Sequence, residues 1–417
     1  MKSTSSSRRV LAFGTGLTLF LVAVASLPAQ QMVTETRDAK QTQDEEFAKL
    51  YKEWTGDSHY GSPLVDHLPL VKGIPTPKDI LGYYIGAPNT LTYYADILKY
   101  YRALEKATPR VKVEVIGETD EKRPMVTVYV SSDENIKNLA QNTANLQKLA
   151  DPRGLPPQQI EQLIATTKPH YHLMGGLHSG ETGPSEMLME LVYRLATETS
   201  PLITQIRNNV IVSVTPAAEP DGRDRNVDWF YRNQADAQAQ GGGAGRGGGQ
   251  LPYWGKYAFH DNNRDFNVSL MTMRALFDWY MKSKAPIVHD LHEAQPLLYT
   301  YSGNAPQNPY LDPILWFELP FFSNFEVAQM TKWGMPGVWT HQFMDGWSPG
   351  YLGSMAYNHN AMMKMYETQS GVDRGNAPQP TLVTPGAPGG RGGAGGAGQA
   401  AAGDAGRAAG GGAAGAA

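Results

Sequence analysis

"YHLMGGLHSGETGPSEMLMELVYRL", residues 171–195, decides the fold class of this chain. Tyr171 to Gly175 is a short apolar run of the kind that forms a buried strand. A glycine-flanked turn follows and carries His178 and Glu181. Pro184 and Ser185 then open a helical pattern in which Met187, Leu188, Leu191, Val192 and Leu195 recur at helical spacing. A strand runs into a helix through a turn that bears an imidazole and a carboxylate.

The same alternation extends on both sides. "NTLTYYADILKYYRALEKATP" (89–109) places Tyr93, Ile97, Tyr100 and Leu104 on one helical face. "VKVEVIGE" (111–118) and "MVTVYVSS" (125–132) read as strands joined by a turn at Asp120 to Arg123. "NVIVSVTP" (209–216) and "APIVHDLH" (285–292) are short apolar runs typical of a mostly parallel sheet covered on both faces. The fold class expected is therefore α/β, a three-layer sandwich whose mixed, mostly parallel sheet is flanked by helices, with its site at the carboxyl ends of strands.

The chain of 417 residues accommodates one large or two medium domains, and a 41% hydrophobic content is enough to fill a substantial core. Its net charge of −4 is spread without a basic cluster, which argues against a nucleic-acid partner. Residues 1–29 read as an export signal: Lys2, Arg8 and Arg9 precede an apolar run from Val10 to Leu27, with small residues near Ala25 and Ala29. Cleavage there would remove three positive charges and leave the chain at −7. A secreted or periplasmic location is expected, with membrane association only if that segment stays uncleaved. The absence of cysteine excludes disulfides and thiolate metal ligands. Residues 30–80 are expected to form a polar, then Pro-rich N-terminal extension lying on the main domain, which spans 81–374. Within it 234–250 is expected to be a Gly-rich loop insertion, and 375–417 a disordered tail dominated by Gly and Ala.

His178 and Glu181 alone are an ordinary pairing, so their weight comes from downstream residues. "APIVHDLHEA" ends a buried strand with His289, Asp290 and His292, groups that need partners when they follow apolar sequence. Alternation places Asp290 and His292 on one side and His289 on the other. Two histidines and a glutamate, with a fourth position left to water, make a catalytic zinc set, and His178, Glu181 and His292 supply it. His289 is read as structural. In "HDNNRDFN" (260–267), Asn263 and Arg264 offer an amide and a planar fork suited to a carboxylate. Arg232 in "DWFYRN" is a fixed positive charge available to a developing oxyanion. Glu367, on the strand-like "MMKMYETQ", is placed to act as general base. Ser179 lacks the surroundings of a nucleophilic serine.

In order, "GLHSGE", "PDG", an arginine after an aromatic pair, "DNNR", "DLH" and a late glutamate resemble the zinc carboxypeptidases, the metallopeptidases similar to carboxypeptidase A, over roughly residues 85–370. The resemblance implies one zinc ion per chain, held by His178, Glu181 and His292. It implies that Arg232 polarises the scissile carbonyl and that Asn263 and Arg264 grip the substrate's terminal carboxylate. Asp261 would orient the first zinc histidine, Glu367 would serve as general base and proton shuttle, and Tyr351 is the counterpart of the substrate-capping tyrosine. A monomer acting on peptides with a free C-terminal carboxylate is expected.

The chain also departs from the family pattern. Glu219 stands where the family has asparagine before "PDG", and Gly/Ala-rich sequence begins soon after Glu367 in place of a further helix. Gly353, Ser354 and Met355, near the position that lines the family's specificity pocket, are uncharged, which argues against basic C-terminal residues. Two other functions share these residues: a zinc deacylase or amidase acting on N-acyl amino acids or cell-wall peptides, and an inactive binding scaffold.

Overall fold

The strands, in chain order, are β1 (Val111–Glu118), β2 (Pro124–Val130), β3 (His170–Gly175), β4 (Ile211–Thr215), β5 (Ile287–His292), β6 (Leu298–Thr300), β7 (Asn304–Gln307), β8 (Val338–Trp339), β9 (Asp345–Gly346) and β10 (Met362–Thr368). The helices are α1 (Glu45–Thr55), α2 (Pro77–Leu81), α3 (Tyr94–Ala107), α4 (Asp133–Lys137), α5 (Leu139–Ala150), α6 (Pro157–Thr166), α7 (Gly183–Thr197), α8 (Pro201–Asn209), α9 (Pro220–Ala239), α10 (Met271–Ser283), α11 (Pro313–Lys332) and α12 (Ser354–Tyr357). They come from a computed structural model that describes residues 37–56, 61–239, 256, 260–293, 295, 297–335 and 337–369. All of these belong to the unit Met1–Gly375. The signal-like segment 1–29 and the tail 375–417 lie outside the described residues.

Eight strands form one sheet in the order β1-β2-β4-β3-β5-β10-β6-β8. Its centre, β4-β3-β5-β10, is parallel, while β1, β2 and β6 add antiparallel pairings. The α/β three-layer expectation holds, and alternation along the strands shows why. On β2, Val126, Val128 and Val130 enter a core with Ile97, Leu104, Leu188 and Val192 of α3 and α7. Met125 faces the other way, into a core with Leu276, Trp279 and Tyr280 of α10. Each face therefore buries its own helix layer, and burial on both sides makes these strands read as nearly continuous apolar runs.

Three expectations need correction. Tyr93 does not join the buried face of its helix. The backbone at Tyr93 is still extended, and α3 begins at Tyr94. Tyr94 and Tyr101 are buried instead, while the Tyr93 hydroxyl donates to Asp228 Oδ1 at 2.9 Å. The N-terminal extension is built into the core: Phe47 of α1 and Leu68 are buried in the cluster that holds α3 and α7. Finally, α9 runs through residues 234–239, where the loop insertion was expected to begin. Alanine and glutamine there are good helix formers, so the helix continues to the glycines; residues 240–250 lie outside the described residues.

Candidate active site

The parallel register aligns the carboxyl ends of three neighbouring strands. Gly175, the end of β3, pairs with Leu291 of β5, and His292, the last residue of β5, pairs with Glu367 of β10. The turn after β3 begins at Gly176, whose φ of 62° lies in the left-handed region; an added Cβ there would lie 2.7 Å from Ser185 Oγ. The Glu181 N–H donates to His178 O at 2.9 Å and closes the turn. Asn262 Nδ2 donates to Leu177 O at 2.6 Å, and Asn226 Nδ2 to Ser179 Oγ at 2.9 Å. Glu293 Oε1, just past β5, accepts from the Gly183 N–H at 2.7 Å and ties the start of α7 to the end of β5.

These restraints bring His178, Glu181 and His292 together. His178 Nδ1 lies 2.9 Å from Glu181 Oε1, and His292 Nδ1 lies 2.9 Å from Glu181 Oε2. One donor atom from each residue falls within 4.8 Å of the others. Both distal nitrogens meet a carboxylate: His178 Nε2 is 3.0 Å from Asp261 Oδ1, and His292 Nε2 is 2.9 Å from Asp290 Oδ2. This leaves both Nδ1 atoms and a two-oxygen carboxylate converging on one point, which suits a tetrahedral zinc site with an open position. His289 stays out of the group. It lies on the opposite face of β5, with Nδ1 2.8 Å from the Tyr171 hydroxyl, and burial drives its basicity well below the usual range.

The charges of the metal-free site are strongly coupled. Burial alone would lower His178, but the Glu181 and Asp261 carboxylates outweigh it and hold the imidazole up at about 9. His292 is held well above its usual range against burial by Asp290 and Glu181. Glu181 is kept at about 2 by the two imidazoles, although burial pushes it upward.

Glu367 is buried on the same strand face as its β5 partner His292. Burial lifts it to about 7, with His292 lowering it and Glu181 raising it, and its Oε2 carries no hydrogen bond among the described residues. Asn263 is buried: its Oδ1 accepts from the Leu352 N–H at 2.8 Å and its Nδ2 lies 3.4 Å from His292 Nε2. Arg264 is partly exposed, donates through Nη1 to Asn263 O at 2.7 Å, and stands 4.2 Å over the Tyr351 ring. Both predicted substrate contacts therefore lie beside the metal cluster.

Arg232 is the exception. It lies on the exposed face of α9, where its Nε donates to Asp228 O, one turn back, at 3.3 Å, and the structure does not bring it to the cluster. The helix sets this: Tyr231 is anchored through its hydroxyl to the Leu91 backbone, which turns the next residue outward. Glu219 packs behind the ligand turn, its N–H on Gly176 O, and burial with Asp221 nearby lifts its carboxyl to about 8.

Sequence reading missed Asp290 as a partner of His292, although its place two residues earlier on one strand face was the signal. It also missed Arg223. This fully buried guanidinium binds Thr182 O and Thr92 O and pairs with Glu186, so it braces the end of the Glu181 turn. The expected outcome of Asp290→Asn, like Asp261→Asn, is a roughly 10- to 100-fold loss of zinc affinity with the fold intact, measured by competition with a chromogenic chelator.

The zinc carboxypeptidase family matches residues 97–333, more than half the chain, and the protein belongs to that family. The match takes in His178, Glu181, Asp261, Asn263, Arg264 and His292, but ends before Tyr351 and Glu367. A comparison with curated proteins returns no match. Among solved structures, carboxypeptidase A from Helicoverpa armigera is 16% identical with a TM-score of 0.44, covering 70% of each chain. A metallo-carboxypeptidase from Burkholderia cenocepacia is 16% identical with a TM-score of 0.43, covering 67% of this chain and 60% of that one. A Pseudomonas aeruginosa metallo-carboxypeptidase is 12% identical with a TM-score of 0.44, covering 66% of this chain and 59% of its own. The chain thus spans about three fifths of these two bacterial proteins.

Proposed function

We propose that this protein is an exported zinc metallocarboxypeptidase that removes C-terminal residues from peptides, with one zinc held by His178, Glu181 and His292. The observation that carries the reading is the register of β10 on β5, which sets a buried carboxylate, one oxygen of which has no hydrogen bond among the described residues, beside the His292 end of the cluster. A zinc ion held there supplies Lewis acidity, making water nucleophilic near neutral pH and polarising a carbonyl.

Each residue then has a task that its surroundings suit. Glu367 takes the proton from the attacking water at its free Oε2, and burial keeps its basicity high enough to accept it. It then returns a proton to the departing amine. Arg264 takes the substrate's terminal carboxylate in a charge-assisted hydrogen bond, with Tyr351 under its guanidinium fixing the plane of the fork. Asp261 and Asp290 hold the two imidazoles with Nδ1 turned inward. Arg232, on the outer face of α9, is given no task in this reading.

The test uses matched peptides with free and amidated C-termini, with and without a chelator. Stepwise release of single residues from free C-termini, abolished by chelation, is expected. Hydrolysis of N-acyl amino acids without trimming of peptides would replace this reading with a deacylase. Arg264→Ala is expected to raise KM for free-carboxylate peptides by about 10- to 100-fold, the worth of one charge-assisted contact, and to leave amidated peptides unaffected. Equal effects on both would remove Arg264 from the carboxylate site.

A further inference from the structure

Helix α11 buries Leu315, Leu319 and Ser323 against the sheet and turns a second apolar face outward. Ile314 is 57% exposed, Phe317 75%, Phe321 68% and Phe325 48%. Their spacing of three, four and four residues makes one stripe along the helix, which carries Pro320 in its interior beside Phe321. Tyr310, 95% exposed, stands just before the helix. Isolated exposed apolar side chains need no explanation, but a continuous stripe of three phenylalanines does.

We infer that α11 is a self-association surface, and that two copies of this chain pack their α11 helices antiparallel across a twofold axis at Phe321. Symmetry about Phe321 sets Phe317 against the second copy's Phe325 and Ile314 against the second copy's Ala328, a large side chain facing a small one. It also carries Lys332, at the end of the helix, to Tyr310 of the second copy, where a cation can sit against an aromatic face. Antiparallel packing further sets the two helix dipoles against each other, with Lys332 approaching the end bearing Asp312. The stripe is thus complementary to itself, in shape and in charge.

The area agrees. At these exposures, five side chains of this size leave roughly 600 Å² per copy, twice which is about 1,200 Å², the lower bound for a specific interface. A lipid surface fits less well. Asp312 and Glu318 flank the stripe and Lys332 is the one basic residue of α11, the reverse of a helix that binds anionic membranes. No helix among the described residues is long and apolar enough to cross a membrane. The inferred dimer differs from the monomer expected from sequence, and the inference does not depend on the peptidase reading.

The chain has no cysteine, so single cysteines report the geometry directly. Phe321→Cys on the full chain is expected to form an interchain disulfide under mild oxidation, because only residues at the axis meet their own copies within bonding distance. Phe317→Cys alone should not cross-link, whereas Phe317→Cys mixed with Phe325→Cys should. Light scattering over a broad concentration range should show a dimer that Phe321→Glu weakens more than about thirtyfold, with helical content and zinc binding unchanged. A wild-type chain that stays monomeric throughout overturns the inference. So does a dimer indifferent to Phe321→Glu, which would use another surface, or a monomer in solution that adsorbs to lipid vesicles through this face.

Discussion

Replacing Glu367 with glutamine is expected to lower kcat by a factor on the order of 10² to 10⁴, the usual contribution of a positioned general base. Glutamine keeps the shape of the buried side chain but cannot take a proton, so zinc stoichiometry and thermal stability should stay close to wild type. Metal analysis and single-turnover kinetics on one preparation check both halves. Zinc loss alongside the activity loss would make Glu367 a support of the ligand cluster, and full retained activity would assign the base elsewhere. The pH profile carries a second mark of the same residue. Glu367 sits at about 7 in the metal-free protein because burial penalises its charge. A nearby dication favours the carboxylate, so the acidic limb of kcat/KM in the zinc-loaded wild type should fall below pH 7 and disappear in Glu367→Gln.

The second large effect lies in zinc affinity and its pH dependence. His178 is held at about 9 in the metal-free protein, above its ordinary value near 6.5, because Glu181 and Asp261 outweigh burial. A folded-state value raised in this way stabilises the metal-free protein fully below about pH 6.5, and that contribution is lost as pH rises through about 9. Zinc requires the deprotonated imidazole, so its binding runs the opposite way. Each pH unit below about 9 should tighten the apparent zinc affinity at least tenfold, because His178 and His292, both held above the ordinary imidazole value, must each give up a proton. Calorimetric melting with and without zinc should show the metal-free Tm falling across this range while the zinc-induced increment grows. A flat increment would show that zinc does not displace a proton from this cluster.

The sequence made most of the site legible, for reasons that can be traced residue by residue. His178 and Glu181 share one short turn between a strand and a helix, so local geometry alone sets them at a strand's end. His292 follows a run apolar enough to be a buried central strand, and the two-residue alternation separates it from His289. Asp290 was legible by the same alternation and was passed over as a mere neighbour of His292. Arg232 was misplaced because a motif order in sequence does not say which way a helix faces; Tyr231 and Leu91, distant in sequence, decide that. Tyr93 went astray by one residue, because a tyrosine pair satisfies helical spacing in either register.

Sequence alone determined the layered α/β class and picked out the three candidate metal ligands and the Asn263–Arg264 pair, because these depend on hydrophobic periodicity and short-range spacing. Only the tertiary structure decided which partners complete them. The pairing of Glu367 with His292 is set by the register of two strands 75 residues apart. The two carboxylates behind the imidazoles come from different parts of the chain, Asp261 from a short turn and Asp290 from β5. The outward face of α11 also became visible only once Leu315, Leu319 and Ser323 had been turned inward. An apolar helix in sequence does not declare which of its faces the core will take, because that choice is made by the surface it meets.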